Sequence, residues 1–199
     1  MSRGARHGAS TSDSRRDSAS VDGAIEMVTV VKSGVTVHAR DVERLYRHSL
    51  KGRSIFNPDN LRKQAPLRRT NRIVRDVVQC MRERNLLQDG CHTLGGAVVL
   101  HSLAGCKQQS WHTDWDPAEL HRMSHKPFGV IVAIEDGTRF VTPKRSYALN
   151  RGDILCFDGD EVHAGAKYDA ANTRIHMYVD VPHVKRRRDR TWIVEMANT

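Results

Sequence analysis

Apolar and polar positions alternate along this chain in two rhythms, and the change from one to the other falls near residue 90. Val42, Leu45 and Tyr46 share one face of a predicted helix over 41–50, with Asp41 placed to cap its start. A second helix is predicted over 69–87, with Ile73, Val77 and Met81 inward and a stop at Asp89-Gly90. Ahead of them, residues 25–37 are β-branched and alternating, which suits a strand that joins a larger sheet. Residues 54–66 read as a loop. From 94 onward the apolar runs shorten to strand length, at 96–103, 128–134, 140–142, 146–149, 153–157 and 174–181. Turn residues separate them, among them Glu135-Asp136-Gly137. Seven or eight short strands at this spacing, with helices to one side, predict a mainly β sandwich or barrel with flanking helices.

The termini break the pattern. Residues 1–22 are rich in Ser, Arg, Gly and Asp and nearly free of bulky apolar side chains. Such a segment buries too little surface to offset its ordering entropy, so disorder is expected there. The 199 residues then divide into this tail, an N-terminal strand and helices over 23–90, a β core over 91–184 and a basic segment over 185–199. Cys80, Cys91, Cys106 and Cys156 show no paired spacing and read as reduced thiols, with Cys156 packed inside a strand. No apolar run approaches the length of a membrane span, and residues 1–22 lack an apolar signal core. An intracellular protein is expected, cytoplasmic or nuclear, with no membrane partner.

Charge changes the picture of what the chain meets. Of the net +9, residues 40–90 carry +7 and 185–199 carry +3, whereas 91–184 carry −2. The helices and the tail are basic and the β core is not, which favours an acidic or polyanionic partner for residues 40–90 and 185–190. Arg68, Arg69, Arg72 and Arg75 fall within two turns of the second predicted helix. The run at 185–190 has two readings. One is a nuclear localisation signal or nucleic-acid contact; the other is a solvated turn, with Trp192, Ile193 and Val194 folded back on the domain. Aromatic residues make up only 6%, so no base-stacking platform is evident.

Candidate chemistry lies in the β core. His112-Thr113-Asp114 sets an imidazole and a carboxylate two residues apart, on one face of an extended backbone. His163, in Val162-His163-Ala164-Gly165, lies in a later strand–turn–strand segment. Two neutral imidazoles and one carboxylate with open positions form the ligand set of non-haem Fe(II) oxygenases. Arg174, one strand beyond, is placed to clamp a second carboxylate bidentately. Residues 116–127 lie between the HxD pair and the next strand, where a substrate-side loop or short lid is expected. They contain His121 and His125 at helical spacing, a zinc pair or a solvated helix face.

These motifs, from Gly105 through Trp111-His112-Thr113-Asp114-Trp115 to Asn172-Thr173-Arg174, resemble the 2-oxoglutarate- and Fe(II)-dependent dioxygenases, in the branch of phytanoyl-CoA hydroxylases and prolyl-hydroxylase-like enzymes. The resemblance runs over about residues 94–182 and implies a double-stranded β-helix, the jelly-roll barrel, with the two helices packed on its outer face. It implies His112, Asp114 and His163 as iron ligands, and Arg174 as the partner of the far carboxylate of 2-oxoglutarate, assisted by His176, Ser102 and His101. Trp111 and Trp115, flanking the ligands, are candidates for the substrate pocket, one as wall and the other as packing. Fe(II), 2-oxoglutarate and O2 are the implied cofactors, and hydroxylation or oxidative demethylation the implied reaction. The chain departs from many relatives in having His176 where they have a small hydroxyl residue, and from prolyl hydroxylases in having Arg174 where they have lysine. The substrate is left open between peptide, nucleic acid and small acid. A cupin-like metalloenzyme without 2-oxoglutarate and a non-catalytic binding module on the same barrel are the alternatives; Arg174 and the lack of an H-x-H pair at His112 weigh against the first, and the complete ligand set against the second.

Overall fold

The computed structural model describes residues 28–55, 58–184, 186–187 and 191–196; the tail over 1–22 and residues 188–190 of the basic run lie outside them. The elements in order are β1 (Val28–Val31), α1 (Ala39–Leu50), β2 (Arg53–Ile55), β3 (Arg62–Pro66), α2 (Arg72–Glu83), β4 (Thr93–Ser102), β5 (His112–Thr113), α3 (Pro117–Leu120), β6 (Phe128–Ala133), β7 (Thr138–Val141), β8 (Ser146–Leu149), β9 (Ile154–Asp158), β10 (Ala164–Gly165), β11 (Asn172–Asp180) and β12 (Trp192–Ile193). A seven-stranded antiparallel sheet, in the order β1-β9-β6-β11-β4-β3-β2, faces a three-stranded one, β10-β7-β8. Together they form a double-stranded β-helix. No helix among the described residues is long and apolar enough to cross a membrane.

Alternation along the long strands decides what each face meets. On β11, Ile175, Met177 and Val179 are fully buried against the helix side, joined there by Val99, Val130, Val132, Ile154 and Cys156. Burial pushes the Cys156 thiol up to about 12, which makes it a packing residue. Ile73, Val74, Val77 and Met81 of α2 and Leu45 of α1 close this layer from outside. The opposite face of the large sheet turns Ile131, Ala133, Leu155 and Phe157 inward, where Phe140 and Leu149 of the small sheet cover them. Leu100, Arg174, His176 and Tyr178 point the same way and line the barrel mouth.

Three expectations are corrected. Residues 54–66 are not a continuous loop: β2 and β3 form a hairpin that extends the large sheet through β4. Its strands carry Arg53, Arg62, Lys63 and Gln64, and an edge position needs no apolar alternation. Asp41 is not the cap of α1, which begins after His38; Asp41 is the third helical residue, and its carboxylate accepts from His38 N at 3.1 Å. The second helix starts later, at Asn71, whose side chain accepts from Ile73 N.

Candidate metal centre

His112 and His163 are brought together by an isolated antiparallel bridge, with N–H to carbonyl distances of 2.9 Å in both directions. Each imidazole is then fixed in the same manner. His112 Nδ1 lies 2.7 Å from the carbonyl of Ser110, and His163 Nδ1 lies 2.8 Å from that of Glu161. A carbonyl only accepts, so Nδ1 carries the proton in both rings and Nε2 is left as the donor to a metal. Asp114 completes the group: the three ligand atoms lie within 4.8 Å of one another, and all three residues are buried. His163 Nε2 is 3.7 Å from Asp114 Oδ2, a separation one ion bonded to both at roughly 2.0–2.2 Å spans.

Asp114 Oδ2 tests the fit of a metal. It is buried without a hydrogen-bond partner. His176 Nε2 stands 3.2 Å away, but the two are not aligned for a hydrogen bond and Nε2 is likewise unpartnered. A carboxylate oxygen in that state is strongly unfavourable unless a cation satisfies it. Burial pushes the Asp114 carboxyl up, but His176, His163 and Arg186 outweigh it and hold the group well below the usual range. Burial, with His112 beside it, pushes His163 down to about 3. One ionised carboxylate and neutral imidazoles are the protonation states metal binding requires.

A cavity of about 250 Å³ opens over the three ligand residues. Arg174 lines it, and its Nη1 donates to Ser102 Oγ at 3.0 Å while the guanidinium lies 5.3 Å from the Tyr168 ring centre. The carboxylates that share its sheet are engaged elsewhere. Asp153 pairs with Lys32 at 2.8 Å, and Asp180 Oδ1 accepts from Trp115 Nε1 and Arg186 N. His176 lines the same cavity with Nε2 turned to Asp114, and its Nδ1 lies 3.2 Å from the Tyr178 hydroxyl.

His101 points to the other face of β4, where it meets Thr173 Oγ1 at 3.0 Å and packs edge-on to Tyr46. Neither tryptophan is among the residues lining the cavity. Trp115 is fully buried against Tyr178, and Trp111 is half-buried, its carbonyl accepting from Val194 N. His121 and His125 do not form a ligand cluster; among the described residues only His112, Asp114 and His163 do. Gln109, Arg139, Tyr178, Arg53, Gln64 and Arg186 line the cavity without having been singled out for it by the sequence. For Tyr178 the signal was there, two residues beyond His176 on the same strand face. Arg62 was also missed: fully buried on β3, it donates to the carbonyls of Lys107 (2.5 Å) and Ala166 (2.7 Å) and so ties together the segments around Gln109 and Gly165.

No protein-family model matches the sequence, and a search of curated proteins finds no match. Solved structures do match in shape. The viral collagen prolyl hydroxylase of Paramecium Bursaria Chlorella virus-1, in its 2-oxoglutarate complex, aligns at 14% identity over 77% of this chain and 96% of its own, with a TM-score of 0.55. HygX from Streptomyces hygroscopicus, with nickel and 2-oxoglutarate bound, aligns at 9% identity over 82% and 86%, with a TM-score of 0.58. A Pseudomonas putida prolyl-4-hydroxylase aligns at 10% over 79% and 94%, with a TM-score of 0.56. The chain has the fold of the 2-oxoglutarate- and Fe(II)-dependent oxygenases. At these identities the likeness is one of fold, and within the oxygenase fold the chemistry must be argued from this chain's own residues.

Proposed function

We propose that the chain is an Fe(II)- and 2-oxoglutarate-dependent dioxygenase that hydroxylates or oxidatively demethylates its substrate. The observation that carries this reading is the convergence of the buried side chains of His112, Asp114, His163 and Arg174 on one cavity. His112 and His163 through Nε2, and Asp114 through its carboxylate, would hold the iron, and 2-oxoglutarate and O2 would be its co-reactants. Bound there, these groups supply an oxidation in which 2-oxoglutarate is decarboxylated to succinate while a C–H bond of the second substrate is oxidised.

The chain's own residues do the rest. Arg174, oriented by Ser102, offers a guanidinium fork to the far carboxylate of the dicarboxylate. Leu100, Ile131 and Phe140 give the cavity an apolar wall. Phe140 and Phe157 pack on the His163 ring at centroid distances of 5.2 and 4.7 Å and hold that ligand in orientation. A metalloenzyme that uses no 2-oxoglutarate leaves the Arg174 guanidinium in the cavity unexplained, which is why that reading ranks second.

Anaerobic Fe(II) titration and succinate formation from 2-oxoglutarate test the reading in wild type and Asp114→Ala. The wild-type chain is expected to bind one Fe(II) and form succinate. Asp114→Ala should lose iron by more than the ~10–100-fold that removal of an outer hydrogen-bond partner costs. Equal iron binding by the variant would overturn the assignment.

A further inference from the structure

A second and larger cavity, of about 1130 Å³, adjoins the metal centre and shares Arg53, Gln64, Tyr178 and Arg186 with it. We propose that this groove binds an acidic polypeptide segment in extended conformation, laid along the open edge of β4 so that one side chain reaches the metal cavity. As a substrate site it rests on the dioxygenase reading; as a binding groove it stands on the observations that follow.

The first is the strand edge. β3 pairs with β4 from Ser102 to Val98, where its partner is Pro66, a residue with no N–H to donate. One further bond, Leu67 N to Ala97 O, ends the contact, yet β4 runs on to Thr93. Among the described residues, Thr93, Leu94, Gly95 and Gly96 line the groove with β11 on one side and no strand on the other, the Leu94 carbonyl already accepting from Arg69 and the ladder to β11 shifting register at Gly95. An edge of this kind takes up an extended peptide through backbone hydrogen bonds. The sheet face beside that edge is open at Gly96, since a Cβ built there meets no atom within 4 Å.

The second is charge. Lys51, Arg53, Arg68, Arg69 and Arg186 line the groove against a single carboxylate, Asp180. That carboxylate lies over Gly95 and accepts from Trp115 Nε1 and Arg186 N. Such an excess draws in anionic partners and sets their register. The surface differs from the helix face suggested by sequence, because Arg72 is spent on Asp41 (2.5 Å) and Asp76 (2.6 Å).

The third is the lack of a stacking platform. Of the two rings lining the groove, Tyr178 has its face covered by the Arg186 guanidinium at 3.9 Å, and His48 Nε2 lies 2.8 Å from the Pro66 carbonyl. Single-stranded nucleic acid would find cations but only one exposed imidazole, His48, on which to stack. Cations beside an open strand edge suit acidic polypeptide instead. Gly96 stands opposite Tyr178 in the ladder, and His176 lies two residues further along β11, a step of about 7 Å. β4 lies between this edge and β11, and a peptide on the edge reaches the metal cavity through the shared lining of Arg53, Gln64, Tyr178 and Arg186.

Fluorescence anisotropy of the full-length chain with a fluorescein-labelled peptide of alternating Glu and Ser tests the proposal. The same peptide with Lys for Glu and an oligothymidylate of equal charge serve as competitors. The acidic peptide should bind, weaken with salt, and resist both competitors. Lys51→Glu with Arg68→Glu should weaken it about tenfold through lost attraction at two exposed sites. Gly96→Phe, which puts a ring into the open space, should block it while circular dichroism stays as in wild type. Preferential binding of the oligothymidylate, no binding of the acidic peptide, or unchanged affinity in both variants overturns the proposal. Iron and 2-oxoglutarate binding are measured on the same samples. Their absence in wild type would count against the dioxygenase reading alone, whereas their presence with no peptide binding would count against the groove alone.

Discussion

His112 and His163 each donate their backbone N–H to the other's carbonyl at 2.9 Å, so the two imidazole ligands are registered by main chain. β5, which carries His112, is only two residues long and would be weak alone. Its other flank is held by β12, where Ile193 pairs with His112 and Trp192 with Thr113. Trp192, Ile193 and Val194 fold back onto β5 and Trp111, while residues 185 and 188–190 of the basic run lie outside the described residues.

Truncating the chain before residue 191 should accordingly loosen the iron site without unfolding the barrel. Far-UV circular dichroism is expected to stay close to wild type, while Fe(II) titration should show weaker binding. Unchanged iron affinity in the truncated chain would mean that the His112–His163 bridge suffices.

On the proposed reading, Arg174 binds the cosubstrate. Arg174→Ala should weaken 2-oxoglutarate binding by the roughly 2–5 kcal/mol that truncating one partner of a buried charge pair costs. Arg174→Lys should recover only part of it, because an ammonium has no fork to match a carboxylate and no plane to set against Tyr168. Calorimetric titration of 2-oxoglutarate into the iron-loaded variants reads both. Wild-type affinity in Arg174→Ala would move the assignment to a metalloenzyme that uses another cosubstrate.

The convergence of the candidate site residues was legible because they obey a strict period. Arg174 and His176 alternate with Ile175 and Met177 on β11, and a two-residue period sends one set to the cavity and the other to the core. α2 was legible for the corresponding helical reason, through Ile73, Val77 and Met81. The β2–β3 hairpin was not, because an edge hairpin with one solvated side leaves no apolar rhythm to read. That omission hid Arg53 and Gln64, which line both cavities. The pairing of Arg72 with Asp41, on different helices, is likewise a product of packing, and it removed one arginine from the expected basic face.

Asp153 ties the start of the chain to the barrel and should make stability depend on acid. Its buried carboxylate pairs with Lys32 at 2.8 Å and accepts from Ser33 N (2.9 Å) and Asn150 N (3.0 Å). Burial pushes its pKa up, but these donors outweigh burial and hold it below the ordinary 3.8. A carboxyl lowered in the folded state contributes stability that is fully present above 3.8 and is lost as pH falls through the native value. Urea melts should therefore show wild type losing part of its advantage over Asp153→Asn below about pH 4. At pH 7 the variant should be less stable by about 1 kcal/mol, since a neutral amide matches the three donors around it poorly. Parallel pH profiles for the two proteins would show that Asp153 has no such role.

Gly129 tests whether the ligand His163 depends on the packing behind it. In the β6–β9 ladder Gly129 faces Phe157, and a Cβ at 129 would lie 2.1 Å from the Phe157 ring. The ring has little room to retreat, being 1% exposed, 4.5 Å from Phe140 and 4.7 Å from His163 between centroids. Gly129→Ala must push it toward one of them. Overpacking of this kind costs about 1–3 kcal/mol, and here part of the displacement should fall on the imidazole. The variant is expected to melt earlier and to bind Fe(II) more weakly, although residue 129 contacts no ligand atom. Adding Phe157→Leu, which removes the clash, should restore iron affinity more fully than thermal stability, because the smaller side chain leaves a void. If Gly129→Ala melts early but binds iron as wild type does, the backbone bridge between His112 and His163 positions the ligands without help from the aromatic cluster.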